Sequence, residues 1–324
     1  MNSNETLSAI QQFDEEYIPF PPFVTAIDAI KTNLSLYRET KIPRHLLVLG
    51  ESGAGKSSLC KWVKHQYPKF TLPDRDVTPV LVVSVPSGAT ISSVASSMLE
   101  QLGDPAAACG TVSAKTSRVI TLCRACQVEM LLFDEAQHIQ DRGLAATHYK
   151  VGDWLKSLVD QTAIPTVLLG IPRLEELLRV NEQLRRRFSS RIRLALGQDD
   201  KKTIHSECLQ LFRSLGFCLP VPLSSGNYGW DDLAMRLYYA SDGRVGYIKT
   251  LLLSALEFAL ENKVEEIDPK LLEQVFTAKI WLEGVGKLNP FNPAFVFRRL
   301  DRGNEPFEPG SLSSVRRGRR EVVC

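Results

Sequence analysis

The eight residues that decide the fold read Gly50-Glu51-Ser52-Gly53-Ala54-Gly55-Lys56-Ser57, and they follow the apolar run His45-Leu46-Leu47-Val48-Leu49. This order predicts a strand, a glycine loop and a helix over residues 55–63, the context in which a G-x-x-x-x-G-K-S loop binds phosphate. Glycine lets successive N–H groups and the helix start point at an anion. We therefore predict a site for ATP. Its expected contacts are Glu51, Ser52, Gly53, Ala54, Gly55, Lys56, Ser57 and Ser58, with Lys56 on the phosphates and Ser57 on Mg²⁺.

A second motif ends the apolar run at residues 130–133 with Asp134 and Glu135. The pattern predicts that Asp134 lies beside the Mg²⁺ and contacts the nucleotide site, while Glu135 orients or deprotonates the water that attacks the γ-phosphate. Extended to His138, the motif also resembles one from helicases, but that class needs a second nucleotide-binding core, for which the rest of the chain has too few strands. His138 itself either senses the γ-phosphate or is satisfied locally at a helix start.

The wider pattern predicts an α/β fold followed by helices. Apolar runs at 80–85, 130–133, 166–169 and 192–196 are separated by helix-length segments, which indicates a parallel sheet flanked by helices on both faces. Helical periodicity then follows at 199–214, 229–241, 245–261 and 268–281. We predict an acidic N-terminal extension at 1–23, a nucleotide-binding domain at 24–198, a small all-α lid at 199–284 and a basic C-terminal tail at 285–324.

Composition narrows the class of protein. The chain has 324 residues, 44% hydrophobic content and a net charge of +2, and its length suggests about two domains. No apolar run approaches the roughly 20 residues that span a bilayer, and no secretory signal opens the chain, so we expect a cytoplasmic protein without a membrane partner. Seven cysteines fit a reducing compartment. Cys123 and Cys126 form a lone CxxC, which is either a pair of buried thiols or a metal or redox pair.

Five arginines crowd residues 184–193, where a helix should give way to the last strand. In oligomeric ATPases an arginine at this point reaches the neighbouring subunit's site and stabilises the transferring phosphoryl group. Arg187 and Arg191 are the leading candidates for this catalytic role, and Arg186 is the third. A solvated basic face or a patch for DNA phosphates remains the alternative. Arg244, at the start of a predicted lid helix, either contacts the γ-phosphate or belongs to a glycine turn.

Together these motifs resemble those of AAA+ ATPases, P-loop NTPases with a small helical lid, and more narrowly the TniB/TnsC branch that regulates Tn7-like and Tn5053-like transposition. The resemblance covers about residues 24–292. Besides the two nucleotide motifs, it rests on Gly170-Ile171-Pro172-Arg173-Leu174, Leu102-Gly103-Asp104-Pro105 and Leu288-Asn289-Pro290-Phe291. It implies a bacterial ATP hydrolase that uses Mg²⁺, forms a homo-oligomeric ring or filament on double-stranded DNA, and engages a TniQ-type targeting protein and a transposase.

In such an assembly, the segment after the second strand would face the DNA. Lys115, Thr116 and Arg118, with Ser117 between them, could then contact phosphates without reading sequence. A polar loop that leads into the helix of Cys123 is the alternative. A helicase loader, a non-DNA scaffold or secretion-associated ATPase, and a small-molecule kinase are the other function classes that the motifs allow.

At two positions the sequence departs from the motifs of the wider superfamily, and both bear on the rate of ATP hydrolysis. Leu169-Gly170 stands where relatives carry an asparagine or threonine at the end of the fourth strand. Where the wider superfamily often has Gly-x-Pro-Arg at the lid helix, this chain has Gly243-Arg244-Val245-Gly246, so its arginine stands at a different position in the motif. The resemblance therefore implies a slow ATPase that acts as a timer or switch.

Overall fold

Strand residues alternate between two apolar layers. The computed structural model describes residues 20–139, 145–197 and 201–308, together with residues 8, 10, 11 and 13. Leu47 and Leu49 of the first strand enter one buried cluster, whereas Leu46 and Val48 enter the other. Because side chains of a strand point to opposite faces in turn, a strand that is apolar throughout must be covered on both faces.

The α/β part forms a parallel five-stranded sheet of order β4-β5-β6-β1-β7, with a separate antiparallel hairpin β2-β3. Its elements are α1 (Pro21–Thr40), β1 (Leu46–Leu49), α2 (Lys56–Gln66), β2 (Phe70–Leu72), β3 (Arg75–Val77), β4 (Val80–Ser84), α3 (Ile91–Gln101), α4 (Val112–Ala125), β5 (Met130–Asp134), a 3₁₀ turn (Ala136–Ile139), α5 (Ala145–Thr162), β6 (Thr166–Gly170), α6 (Leu174–Val180), α7 (Glu182–Arg187) and β7 (Ser190–Arg193). Because the strands are parallel, the ends of β1 and β5 lie at one edge of the sheet, which brings the two predicted nucleotide motifs to the same place.

The lid is helical, as predicted. It contains α8 (Lys201–Cys218), α9 (Trp230–Ser241), α10 (Val245–Asn262) and α11 (Pro269–Lys279), followed by a 3₁₀ turn at Gly286–Leu288. Its buried residues belong to the same apolar cluster as α1 and α2, so the lid packs on one face of the α/β part. Within the described ranges, no helix combines the length and apolar character needed to cross a bilayer.

The structure differs from the predicted domain limits at both ends. Phe20 and Phe23 are buried and α1 begins at Pro21, so the α/β part starts before residue 24. The described part of the predicted C-terminal tail packs on the lid, where Phe291 and Phe307 are each 1% exposed. We call residues 289–308 the C-terminal segment.

Two buried polar side chains anchor this segment. Asn289 is fully buried, and its amide donates to the carbonyl oxygens of Glu273 and Gly284. The guanidinium of Arg236 donates to the carbonyl oxygens of Pro290 and Asn292. The Leu-Asn-Pro-Phe sequence after the lid therefore fastens the segment to α9 and α11.

The last strand of the sheet begins earlier in the sequence than predicted. β7 covers Ser190–Arg193, whereas the apolar pattern points to residues 192–196. Leu194 and Leu196 are buried, but they follow the part of the chain that pairs with β1. β7 is an edge strand with exposed residues, so its sequence does not carry the apolar run expected of an inner strand. The β2-β3 hairpin is short and largely exposed, and no apolar pattern predicts it.

Candidate functional site

The glycine loop has the conformation that its sequence requires. Gly53 and Gly55 have φ angles of 80° and 93°, in the left-handed region that glycine enters without strain. The loop turns from β1 into α2, and Glu51, Ser52 and Gly53 are exposed, while Ala54 is buried beneath them. The exposed backbone and the start of α2 therefore form a cradle that suits phosphate.

Lys56 lies at the base of this loop. It is 4% exposed, and its Nζ donates to the carbonyl oxygens of Gly50 at 2.9 Å and Glu51 at 3.1 Å. Ser57 and Ser58 follow it in the first turn of α2 and are exposed. The loop thus presents one ammonium group and two accessible hydroxyls at a single helix start.

The end of β5 brings two carboxylates to the same place. Glu135 Oε1 lies 3.8 Å from Lys56 Nζ. Asp134 is 5% exposed, and burial, with a smaller contribution from the charge of Glu135, raises the pKa of its carboxyl. A hydrogen bond from the Cys60 thiol opposes this rise, and burial raises the pKa of the thiol itself, so Cys60 stays protonated as a donor. Lys56, Asp134 and Glu135 therefore converge beside the glycine loop.

The oxygen atoms available here suit Mg²⁺. A Ser57 hydroxyl and an Asp134 carboxylate are hard oxygen ligands, and magnesium sites at phosphates use only one or two protein ligands and complete the shell with water and substrate. Among the described residues, no group of three or more His, Cys, Asp or Glu side chains could hold a metal ion by itself. In a site with nucleotide, Ser57 and Asp134 would hold the ion.

Gln137 connects the second motif to β6. It is 2% exposed, its Oε1 accepts the N–H of Ile171 at 3.2 Å, and its Nε2 donates to Glu135 Oε2. His138 Nε2 lies 3.8 Å from the same carboxylate, so this histidine is close to the site. The carboxylate of Glu135 is thus surrounded by groups from α2 and the 3₁₀ turn, and Gln137 connects it to the end of β6.

The lid touches the glycine loop directly. The N–H of Gly246, in the first turn of α10, donates to the carbonyl oxygen of Gly53 at 2.7 Å. A Cβ at residue 246 would lie 2.8 Å from that oxygen and 3.0 Å from Gly53 Cα, so only glycine permits this approach. The position of the lid and the conformation of the loop are therefore coupled.

Arg244 precedes this contact and lies in a crowded setting. Its Nη2 donates to Asp242 at 3.3 Å, and its guanidinium lies 5.3 Å from the ring of Phe307 in the C-terminal segment. Asp242 also accepts two 2.7 Å hydrogen bonds from Arg299, which fix its carboxylate. The side chains of Arg244, Asp242 and Arg299 line a cavity of about 240 Å³ that is also lined by Gly50, Glu51, Pro172 and Arg193. Arg244 is therefore next to the loop, and its contact with the γ-phosphate stays a prediction.

Arg186 and Arg187, at the end of α7, lie at the opposite end of the sheet from the glycine loop, whereas Arg191 lies within β7 and pairs with Leu47. β7 pairs in parallel with β1 so that Ser190 faces Leu46 and Arg193 faces Leu49. α7 comes before β7 and the glycine loop comes after β1, so the two are separated by at least the length of a four-residue strand, about 13 Å. An arginine at the end of α7 is therefore remote from the loop of its own chain.

These arginines differ in their contacts. Arg187 donates two 2.8 Å hydrogen bonds to Asp160 and is 30% exposed. Arg191 makes one longer contact of 3.4 Å with Glu175 and is 39% exposed. Arg186 is 80% exposed and pairs with Glu182. The bidentate pair makes Arg187 the least available of the three, whereas Arg186 and Arg191 are accessible to a neighbour.

The predicted DNA contact at Lys115 is wrong for this conformation. Lys115 is 5% exposed, and its Nζ donates to the hydroxyls of Ser92 at 3.1 Å and Ser96 at 2.8 Å. A buried ammonium that is hydrogen-bonded between α3 and α4 cannot reach a phosphate outside the protein. Lys115 instead joins the two helices.

Thr116 and Arg118 also have contacts within the chain. Thr116 Oγ1 accepts a hydrogen bond from Trp154 Nε1 at 3.0 Å. Arg118 lies 3.1 Å from Asp104 and donates to the carbonyl oxygens of Ala106 and Cys109. The structure therefore explains this group of residues by the packing of α4, and it does not favour DNA contacts there.

A family model described as the bacterial TniB protein matches residues 9–195. The match covers more than half of the chain. The chain belongs to the TniB family. This confirms the resemblance that the motifs indicate, and it places the glycine loop, Asp134, Glu135 and the arginines at 185–193 within the matched region. A search of curated proteins finds no significant match.

Solved structures confirm the AAA+ fold of this TniB family chain. The Aeropyrum pernix ORC2 protein in ADPNP–ADP complexes is 14% identical with a TM-score of 0.57, over 84% of this chain and 72% of that one. The Aeropyrum pernix ORC1 protein in complex with DNA is 13% identical with a TM-score of 0.55, over 84% and 69%. Cdc6p from Pyrobaculum aerophilum is 15% identical with a TM-score of 0.54, over 82% and 69%.

Three features of the site escape prediction from the sequence. Gln137 lies within the Asp-Glu motif that the TniB family match covers, but a glutamine gives no sign of burial or of its partners. Gly246 is visible as a glycine at a helix start, which is a weak signal because many glycines end turns. The Asp242–Arg299 pair joins residues 57 positions apart, and the sequence offers no sign of such a contact.

Proposed function

We propose that this protein is an ATP hydrolase that assembles on double-stranded DNA in its ATP-bound state and links target-site selection to transposase recruitment. The observation that carries the proposal is the direct hydrogen bond between Gly53 of the glycine loop and Gly246 of the lid. A change in the loop must move or strain this contact. The lid therefore responds to the state of the loop, as an ATP-dependent switch requires.

The chemistry follows from a few side chains. Lys56 supplies positive charge to the phosphates, and Mg²⁺ held by Ser57 and Asp134 would neutralise charge on the phosphate oxygens. Glu135 accepts a proton from water as the water oxygen bonds to the γ-phosphorus and the bond to the β–γ bridging oxygen breaks, which yields ADP and phosphate. The site of one chain contains these groups but no arginine from residues 185–191.

This arrangement of the arginines suggests a shared site. Arg186 is exposed at the far end of the sheet and Arg191 is partly exposed on the edge strand β7, where they could reach the loop of a neighbouring copy in a head-to-tail assembly. Such an arginine stabilises charge on the transferring phosphoryl group. Hydrolysis would then depend on assembly, and we propose that turnover is slow and sets the lifetime of the assembly.

The DNA and protein partners are supported by membership of the TniB family. One protein of the same fold was solved with DNA, although that likeness extends to the fold alone. We propose sequence-independent contacts to the DNA backbone, a TniQ-type targeting protein and a transposase as partners. Backbone contacts repeated over many subunits would make DNA binding strongly dependent on salt.

The test is ATP-dependent assembly on duplex DNA, followed by sedimentation and electron microscopy. We expect large complexes with ATP or a non-hydrolysable analogue, and few with ADP. Lys56→Ala should abolish nucleotide binding and assembly, whereas Lys64→Ala, an exposed lysine on the same helix, should have little effect. Assembly that is equal with ATP and ADP, or normal in Lys56→Ala, would overturn the proposal.

A further inference from the structure

Gln137 is a buried polar side chain that the proposed chemistry does not use. It lies in the 3₁₀ turn after β5 and is 2% exposed. Burying an amide group is unfavourable unless it is hydrogen-bonded. The partners of this amide therefore indicate why it is there.

The hydrogen bonds of Gln137 have a fixed direction. The backbone N–H of Ile171 can only donate, so the atom that faces it must be the carbonyl oxygen Oε1. The amide nitrogen Nε2 then faces Glu135 Oε2, which can accept its hydrogen bond. The side chain thus bridges the end of β6 and the carboxylate proposed to activate water.

Gly170 makes room for this bridge. A Cβ at residue 170 would lie 2.6 Å from Gln137 Oε1 and 2.8 Å from Leu174 Cδ2. Gly170 also accepts a hydrogen bond from the N–H of Gly50, where the glycine loop begins. The end of β6 is therefore shaped to hold the amide, and it connects the amide to the loop.

Glu135 needs such a partner. Its φ angle is 53°, which is uncommon for a residue with a side chain, and its side chain is 34% exposed. Lys56 and His138 approach its carboxylate only to 3.8 Å, longer than a hydrogen bond. Among the described contacts, the direct hydrogen bond to the Glu135 side chain comes from Gln137.

We propose that Gln137 is a positioning residue that holds the Glu135 carboxylate in place for water activation and ties it to the end of β6. This inference rests on the proposed ATP hydrolysis. The amide acts through Glu135, so its loss affects the chemical step and leaves nucleotide binding intact. It provides a polar side chain at the end of β6, where the strand itself offers only Leu169 and Gly170.

The first test compares three variants for ATP turnover and for nucleotide binding. Gln137→Ala should lower kcat about tenfold or more and leave KM for ATP unchanged, because a misplaced base impairs proton transfer. Gln137→Glu has nearly the same shape and can still accept from Ile171, but it repels Glu135, so its loss of kcat should be at least as large. Gln161→Ala is the matched control, since Gln161 is exposed and its amide donates to Ser157 within α5. An unchanged kcat in Gln137→Glu would overturn the inference.

The second test places Gln137→Ala in a Glu135→Gln background under single-turnover conditions. If Gln137 acts through Glu135, the double variant should be no slower than Glu135→Gln alone. A further loss equal to that in the wild-type background would show an independent role and overturn the inference. Absence of ATP turnover by the wild-type protein would instead overturn the proposed hydrolysis, which separates the two failures.

Discussion

At the scale of single residues, His45 shows how burial sets a protonation state. It precedes β1, is 9% exposed, and its Nδ1 accepts the N–H of Thr166 at 3.2 Å. Burial lowers the pKa of His45 from 6.5 to about 4, with a further lowering from the charge of Arg187 and a partial opposition from Asp160. The folded protein therefore keeps this imidazole neutral as an acceptor, because protonation would remove the lone pair that Thr166 uses.

This depressed pKa predicts a loss of stability in acid. Above pH 6.5 His45 is neutral in both the folded and unfolded states, and between pH 6.5 and 4 the unfolded chain binds the proton first. The free energy of unfolding should fall over this window by up to about 3 kcal/mol from His45 alone. In His45→Gln, which can still accept from Thr166, the fall measured by urea denaturation should be smaller by about this amount. The exposed His65 offers a control, since His65→Gln should keep the wild-type slope.

At the scale of elements, the contact between α10 and the glycine loop depends on Gly246 having no side chain. Gly246→Ala would place a Cβ 2.8 Å from the carbonyl oxygen of Gly53, so helix and loop must move apart. We expect ATP affinity to fall about tenfold, because the loop loses its hydrogen bond to the lid. The lid then no longer holds the loop in its binding conformation. Titration calorimetry with ATP measures the change.

Gly216→Ala is the matched control for this variant. Gly216 lies inside α8, where a Cβ would meet no heavy atom of another described element within 4 Å, and alanine is the better helix former. Gly216→Ala should bind ATP normally and unfold at the same or a slightly higher temperature. Equal ATP affinity in Gly246→Ala and Gly216→Ala would mean that the contact does not couple lid and loop.

Elements of this chain can be predicted where local pattern and tertiary packing agree. The loop at 50–57 has glycines at positions where the backbone needs them, and the inner strands are apolar because both of their faces are covered. The edge strand β7 lacks that coverage, so the apolar pattern misplaces its boundaries. The prediction for Lys115 is wrong because a lysine is usually exposed, whereas Ser92 and Ser96 on the preceding helix supply the acceptors that bury this one. Such long-range partners cannot be read from one sequence.

At the scale of the whole molecule, the glycine loop and the arginines of α7 occupy opposite ends of the sheet. A single copy cannot bring Arg186 to its own glycine loop without unfolding β7, which pairs with β1 over all four of its residues, whereas Arg191 is held within that strand beside Glu175. A head-to-tail arrangement of identical copies solves this by placing the arginine end of one against the loop of the next. Repetition of the same contact gives a ring or a filament, depending on whether the rotation closes.

This arrangement predicts that two inactive variants restore each other. Glu135→Gln binds ATP and assembles but lacks the general base and keeps its arginines, whereas Arg191→Ala keeps its loop but lacks the cation, and each alone should lose about 10³-fold in turnover or more. In an equimolar mixture, about one interface in four joins an intact loop to an intact arginine, so ATPase activity should recover to about a quarter of wild type.

Arg186→Ala tested in the same way distinguishes the two exposed candidates. Arg187→Ala should instead lower stability, because it leaves Asp160 without its bidentate partner. If no arginine variant regains activity when mixed with Glu135→Gln, the arginines act within their own chain or in structure alone, and the shared site is refuted.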